Sequence, residues 1–122
     1  MAKILLIDDQ EMVRYSVREA LEGMGHAVSE AEEGRKGLAL FDETTFDLVI
    51  TDLFMPVLDG FELLNEIHQR KPDQSIIVIT AGGQGDAIDR LNDKNGLRDH
   101  EILIKPFDST KLAEVVRQAL EV

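Results

Sequence analysis

Short apolar runs alternate with amphipathic stretches along the whole chain. Runs of Ile, Leu and Val at 3–7, 48–50, 76–79 and 102–104 predict buried strands, and a weaker alternation at 26–30 predicts a short edge strand. Helical spacing of apolar residues predicts helices over 11–24 and 34–43, and a weaker one at 86–94. Two more helices are predicted from their caps: one begins after Asp59, and the last begins at Asp108 or Ser109.

Five strand–helix units of this kind predict one α/β domain over residues 1–122. Strands that are apolar on both faces indicate a parallel sheet covered on each side, a three-layer doubly wound (βα)5 sandwich. Right-handed crossovers make 2-1-3-4-5 the expected order of the five parallel strands. The sequence contains no internal repeat, low-complexity tract or linker-like stretch that would divide it.

The composition argues against several classes of function. The net charge is −11, from 24 acidic and 13 basic residues, and such a surface repels nucleic acid. The charge fits simple solubility or a partner protein steered by charge. The chain has 0 cysteines, which excludes disulfides and thiolate zinc sites. Apolar runs are too short to span a bilayer and no secretory signal is present, so we expect a cytoplasmic protein with no membrane contact.

Polar side chains stand at the carboxyl ends of four predicted strands. Asp8 and Asp9 follow the first strand, Asp52 ends the third, Thr80 the fourth and Lys105 the fifth. Ligands bind outside the carboxyl ends of strands in open parallel sheets, near the point where the strand order reverses. We therefore expect these residues, scattered over the chain, to form one site.

The inventory of this site favours a cation and a phosphoryl group. Two like charges ~4 Å apart repel by about 4 kcal/mol at an effective dielectric near 20, so three carboxylates bind a proton or a cation. All-oxygen ligation suits Mg²⁺, with Mn²⁺ as an alternative ion. A hydroxyl and an ammonium group suit a bound phosphoryl group, and a carboxylate is able to act as the nucleophile that accepts it. The glycines at 82, 83 and 85 are not followed by Gly-Lys-Ser/Thr, which excludes a P-loop.

Four segments resemble the receiver domains of two-component response regulators in order and spacing. They are Ile7-Asp8-Asp9, Asp52-Leu53-Phe54-Met55-Pro56 with Asp59-Gly60, Thr80-Ala81, and Lys105-Pro106-Phe107. The resemblance covers nearly the whole chain. It implies a signalling phosphoacceptor rather than an enzyme with a separate substrate: a domain that catalyses its own phosphorylation and dephosphorylation.

The resemblance also implies a role for each site residue. Asp52 would be the phosphoacceptor and Asp9 a direct metal ligand, while Asp8 would act largely through metal-bound water. The backbone carbonyl of Phe54 would complete the protein ligands of the metal. Thr80 would contact the phosphoryl oxygens.

Lys105 would pair with the phosphate, and its bond to Pro106 would be cis, as in the family.

Two features depart from the family pattern. Ile102 stands where an aromatic residue is common, and Lys105 follows Thr80 by 25 positions, a few more than usual. We therefore expect the signal to run through ordering of residues 82–94 rather than through an aromatic side chain.

The resemblance implies two kinds of partner. A histidine kinase or phosphotransfer protein would supply the phosphoryl group, and an output domain or separate protein would read the change, with the chain a monomer or a phosphorylation-dependent dimer. A pseudo-receiver that serves as a docking module is the alternative, but it would need a lost site residue and none is lost. An aspartate-dependent phosphohydrolase is disfavoured because Ile7-Asp8-Asp9 lacks the Asp-x-Asp pattern of those enzymes.

Overall fold

The structure is a computed structural model that describes residues 1–53, 55, 57–81 and 102–121. The helix expected at 86–94 and the glycine-rich segment before it lie outside these residues. The elements follow one another as β1 (Lys3–Ile7), α1 (Glu11–Gly23), β2 (Ala27–Ala31), α2 (Gly34–Glu43), β3 (Leu48–Asp52), α3 (Gly60–Arg70), β4 (Ile76–Ala81), β5 (Ile102–Lys105) and α4 (Ser109–Leu120).

The five strands form one parallel sheet in the order β2-β1-β3-β4-β5, which confirms the predicted topology. Ile7, the last residue of β1, lies opposite Ala31 of β2 and Thr51 of β3. This register places the residues that follow β1 beside the end of β3.

Apolar side chains cover both faces of the sheet. Along β1, Leu5 and Ile7 belong to a core cluster that includes residues of α2 and α3, whereas Ile4 and Leu6 belong to one that includes residues of α1 and α4. All four side chains are fully buried. Successive side chains of β1 point to opposite faces of the sheet, and helices cover both faces, so the strand has no polar side. The predicted three-layer arrangement is confirmed.

The edge strand expected at 26–30 is confirmed as β2, whereas β5 departs from the expectation of a strand buried on both faces. Only Ala31 of the five β2 residues is buried, and Ile104 of β5 is 46% exposed. A strand at the edge of a sheet has a neighbour on one side only, so less of its surface is covered.

The apolar residues at helical spacing in and just after α1 are not all buried. Val17 and Leu21 are buried, but Met12 is 85% exposed and Met24 is 38% exposed. Met12 stands at the margin of the stripe in the first turn. Met24 is the C-cap residue, beyond the helix, where the period of 3.6 no longer applies.

Side-chain caps fix where three helices begin. The carboxylate of Asp59 accepts a hydrogen bond from the Glu62 backbone N–H at 3.0 Å, as predicted for α3. Asp108 rather than Ser109 caps α4, since it accepts from the Lys111 N–H at 2.8 Å. Glu33 caps α2 in the same way. These caps satisfy donors that have no partner within the helix.

Candidate functional site

Three carboxylates converge at the carboxyl edge of the sheet, as the strand ends predicted. Asp8, Asp9 and Asp52 each offer an oxygen, and these oxygens all lie within 4.8 Å of one another. Asp8 is fully buried and Asp52 is 7% exposed, whereas Asp9 is exposed. The cluster is therefore closed on the protein side and reached from solvent past Asp9.

Asp8 is held through its main chain as well as its side chain. Its N–H donates to the Ala31 carbonyl at 3.1 Å, and its own carbonyl accepts a hydrogen bond from Arg14 Nη1 at 2.7 Å. Its Oδ1 accepts from the Gln10 N–H at 2.8 Å. Its Oδ2 is buried and has no hydrogen-bond partner among the described residues.

Asp52 is anchored at the end of β3. Its Oδ1 accepts a hydrogen bond from the Leu53 N–H at 2.8 Å, and its carbonyl accepts one from Thr51 Oγ1 at 2.9 Å. The Leu53 N–H also donates to the Ile79 carbonyl of β4 at 3.1 Å. The carboxylate is therefore positioned by the sheet itself.

Thr80 and Lys105 extend the site across the next two strands. Asp52 lies opposite Ile79, so Thr80 stands one position further along β4, and Lys105 lies opposite Ala81. Thr80 is fully buried and Lys105 is half-buried. The bond between Lys105 and Pro106 is cis, as the resemblance implied.

The electrostatics of the cluster favour a bound cation. The pKa of Asp8 is raised to about 6, chiefly by burial and also by the charges of Asp52 and Asp9, while the Gln10 hydrogen bond and the charge of Lys105 act to lower it. Burial disfavours the ionised form of Asp8, and the two neighbouring acids add to this effect, so a cation bound here would favour ionisation of all three. A buried carboxylate oxygen that lacks a partner and an all-oxygen donor set both fit Mg²⁺.

Gly60 lets the first turn of α3 approach this site closely. A Cβ atom on Gly60 would lie 2.6 Å from Leu53 Cα and 2.8 Å from the Asp52 carbonyl oxygen. Only glycine fits so near this backbone. The Asp59-Gly60 pair thus caps α3 and seats it against the end of β3.

One residue expected at the site is left open by the structure. Phe54, whose carbonyl was expected to serve as a ligand, lies outside the described residues. His26 is half-buried, and its Nδ1 accepts a hydrogen bond from the Ala2 N–H at 3.1 Å.

Sequence reasoning missed Arg14. The spacing of Arg14, Val17 and Leu21 places a positive side chain on the buried face of α1, and that position was the available signal. A cation that extends a buried stripe indicates a specific partner inside the protein.

The chain is similar to known proteins in both sequence and structure. The family described as response regulator receiver domain matches residues 4–117. The chain is 31% identical over 121 residues to a chemotaxis protein CheY from Listeria monocytogenes, with 98% of each chain covered. It is 34% identical over 120 residues to the C4-dicarboxylate transport transcriptional regulatory protein DctD from Pseudomonas aeruginosa, but spans 25% of that protein. A solved receiver domain from Clostridium thermocellum superposes with a TM-score of 0.88 at 34% identity, over 98% of this chain and 94% of that one.

Proposed function

We propose, on the premise that this chain belongs to the response regulator receiver domain family of two-component signalling, that it is a phosphate-accepting switch. A histidine kinase or a phosphotransfer protein would transfer a phosphoryl group to Asp52 in the presence of Mg²⁺. The phosphorylated protein would then present a changed surface to an output domain or a partner protein.

One observation carries the proposal: the three acids Asp8, Asp9 and Asp52 meet within 4.8 Å at the strand ends. Like charges brought this close are costly without a cation, and a phosphoryl group brings further negative charge to the same place. Lys105 lies at the same edge and lowers the pKa of Asp8 through its charge. Three acids able to hold a cation and a nearby lysine suit phosphoryl transfer, in which positioning and charge neutralisation supply most of the catalysis.

The transfer itself would be a displacement at phosphorus. An oxygen of the Asp52 carboxylate forms the new O–P bond as the P–N bond to the donor histidine breaks, and the electron pair stays on the histidine nitrogen. Thr80 would donate its hydroxyl to a phosphoryl oxygen, and Lys105 would pair with the charge. The product is an acyl phosphate.

The residues fitted to hold the cation are Asp8, Asp9 and Asp52, together with the Phe54 carbonyl. Bound Mg²⁺ would offset the charge of the acids and of the phosphoryl oxygens. The Leu53 N–H keeps one Asp52 oxygen in place at 2.8 Å while the acids are brought together.

Residues 1–122 would form one receiver domain that works in the cytoplasm, as a monomer or as a phosphorylation-dependent dimer. The chain matches nearly the full length of CheY but a quarter of DctD. Both arrangements are therefore compatible with it: a receiver that binds a separate partner, and one joined to an output domain.

The test is intact mass after incubation with acetyl phosphate and Mg²⁺. We expect one added phosphoryl group that is lost on standing, and none in Asp52→Asn, because a carboxamide cannot form the acyl phosphate. Asp73→Asn is the matched control: this acid is exposed in the turn after α3 and should label like the parent.

Equal labelling of Asp52→Asn and the parent would show that the acceptor lies elsewhere. A folded parent that never takes up phosphate would favour the docking-module alternative.

A further inference from the structure

We propose that Arg14 is a positioning residue for the cation site: it fixes the peptide that carries Asp8 and thereby sets the affinity for Mg²⁺. The inference rests on the proposed function. It assigns to the first helix a part in building the acid cluster.

Arg14 reaches back from the first turns of α1 to the loop that follows β1. Its Nη1 donates to the Asp8 carbonyl at 2.7 Å, and its side chain is 15% exposed. A hydrogen bond from a charged donor in a partly buried place is stronger than one between neutral groups. Arg14 therefore holds the main chain directly beside the acids.

The Arg14 bond completes a set of contacts that leaves one oxygen for a ligand. The Asp8 N–H is bound to Ala31, its carbonyl to Arg14 and its Oδ1 to the Gln10 N–H. With the peptide and one carboxylate oxygen fixed, Oδ2 has little freedom to turn away from the cluster. Groups that orient a ligand in this way commonly determine metal affinity.

Arg14 is itself held by Glu30 of β2. Its Nε lies 3.4 Å from Glu30 Oε1, while Arg18 Nη1 lies 2.8 Å from Glu30 Oε2. The planar guanidinium contacts a carbonyl and a carboxylate at once, which a single ammonium group cannot do in the same geometry. Arg18 also pairs with Glu30. Its other contacts are with Glu22 and the Tyr15 ring rather than with the Asp8 peptide.

Arg14 is also a cation, and this allows its two effects to be told apart. Removing a positive charge near three acids would strengthen Mg²⁺ binding if charge alone mattered. Removing a support for the Asp8 peptide would weaken it. We expect weakening, because the bond is made to the main chain and the loss of such outer contacts typically costs about 10-fold or more in metal affinity.

The first measurement is Mg²⁺ binding by calorimetry to the parent, Arg14→Gln and Arg18→Gln. Arg14→Gln should bind about 10-fold more weakly. Arg18→Gln, the matched control that loses an arginine from the same ion pair with Glu30, should bind within about twofold of the parent. Arg14→Lys, which keeps the charge, should also bind Mg²⁺ more weakly, because one ammonium group cannot contact the Asp8 carbonyl and the Glu30 carboxylate in the same geometry.

A second measurement needs no metal. Amide hydrogen exchange of the metal-free proteins should show faster exchange at Gln10 and Asp8 in Arg14→Gln, with β4 unchanged. A merely destabilised fold would speed exchange throughout the sheet instead.

Chemical rescue adds a third measurement. A cavity of about 460 Å³ is lined by Arg14, Glu30 and Lys36, among others, and gives a free guanidinium ion access to the vacated position. Millimolar guanidinium should restore the Mg²⁺ affinity of Arg14→Ala, which removes the side chain beyond Cβ, and leave the parent unchanged.

The outcomes separate the two proposals. If the parent binds Mg²⁺ and Arg14→Gln binds it equally well or better, the positioning role is wrong while the proposed function stands. If Arg14→Gln and Arg18→Gln are weakened alike, Glu30 rather than the Asp8 peptide is responsible. A parent that binds no Mg²⁺ would contradict both.

Discussion

The backbone N–H of Gly60 donates a hydrogen bond of 2.7 Å to the carbonyl oxygen of Leu53. This bond joins the first residue of α3 to the residue that follows Asp52. The end of the central strand and the start of the helix are therefore held as one piece at the candidate site.

Gly60→Ala should destabilise the protein and lower phosphorylation from acetyl phosphate. A Cβ atom would stand 2.6 Å from Leu53 Cα and 2.8 Å from the Asp52 carbonyl oxygen, and backbone atoms cannot give way as a flexible side chain can. Overpacking of this kind costs about 1–3 kcal/mol in the free energy of unfolding. Urea denaturation and the labelling rate measure the two effects.

Gly23→Ala is the control for this substitution. A Cβ atom there would meet nothing within 4 Å, and Gly23 lies in the last turn of α1. The alanine variant should be as stable as the parent or more stable by up to about 1 kcal/mol, because glycine has the lower helix propensity. Similar losses in both variants would mean that the close approach at Gly60 is unimportant.

Asp8→Asn should stabilise the metal-free protein at neutral pH. The folded protein holds the proton of Asp8 up to about pH 6, above the ordinary pKa of 3.8, so keeping this buried group ionised at pH 7 costs up to about 3 kcal/mol. Asparagine keeps the Oδ1 acceptor for the Gln10 N–H and carries no charge. Thermal or urea unfolding in the presence of a chelator measures the difference.

The same pKa sets the sign of the pH dependence. Between pH 3.8 and about 6 the folded parent binds more protons at Asp8 than the unfolded chain does, so its contribution to stability falls as pH rises. The stability gap between Asp8→Asn and the parent should therefore open across this window and close below it. A gap that does not change with pH would contradict the buried state of Asp8.

Mg²⁺ binding to the parent should weaken as pH falls below about 6, because protons compete for the carboxylate oxygens. Asp9→Ala should bind Mg²⁺ far more weakly than the parent at pH 7.5. Glu19→Gln, which removes an exposed acid from α1, serves as the control and should bind Mg²⁺ as the parent does. Unchanged affinity in Asp9→Ala would place the metal site elsewhere.

Lys105→Ala should raise the pKa of Asp8 further, since the charge of Lys105 lowers it in the parent. Carbon-13 NMR of the side-chain carboxyl in the metal-free protein measures this titration. The variant should still be phosphorylated to some extent, while its affinity for a partner should respond less to phosphate. Lys111→Ala, which removes an exposed lysine from α4, should leave the Asp8 titration unchanged.

Asp108→Ala should lower the free energy of unfolding by about 1 kcal/mol, the usual value of a helix N-cap. The lost bond is the one from the Lys111 N–H at 2.8 Å. Ser109→Ala changes the first helical residue and should have a much smaller effect. Equal losses would indicate that both side chains share the capping role left open by the sequence.

The sheet and the acid cluster were predictable because both follow from rules that act along the chain. Runs of β-branched residues define β3 and β4 to within a residue or two, and parallel strand ends meet at one edge. Asp8, Asp9 and Asp52 therefore converge whatever the details of side-chain packing. The cap at Asp59 follows from local chemistry alone.

Features that depend on the third dimension were not predictable in the same way. The exposure of Met12 depends on how far the sheet extends beneath α1, and the contact between Arg14 and the Asp8 carbonyl depends on how the loop folds back. The raised pKa of Asp8 results from complete burial, which a strand-end position does not require.

Val57 adopts a φ of 74°, a conformation that a β-branched residue rarely takes, although its side chain is 64% exposed. Its own local preferences oppose this geometry by about 1–3 kcal/mol. Val57 stands three residues before Gly60, whose N–H is bound to the Leu53 carbonyl at 2.7 Å. If this short connection transmits the docking of α3 to Val57, we expect the strained conformation and the first turn of α3 to be lost together in local unfolding, before the sheet itself unfolds.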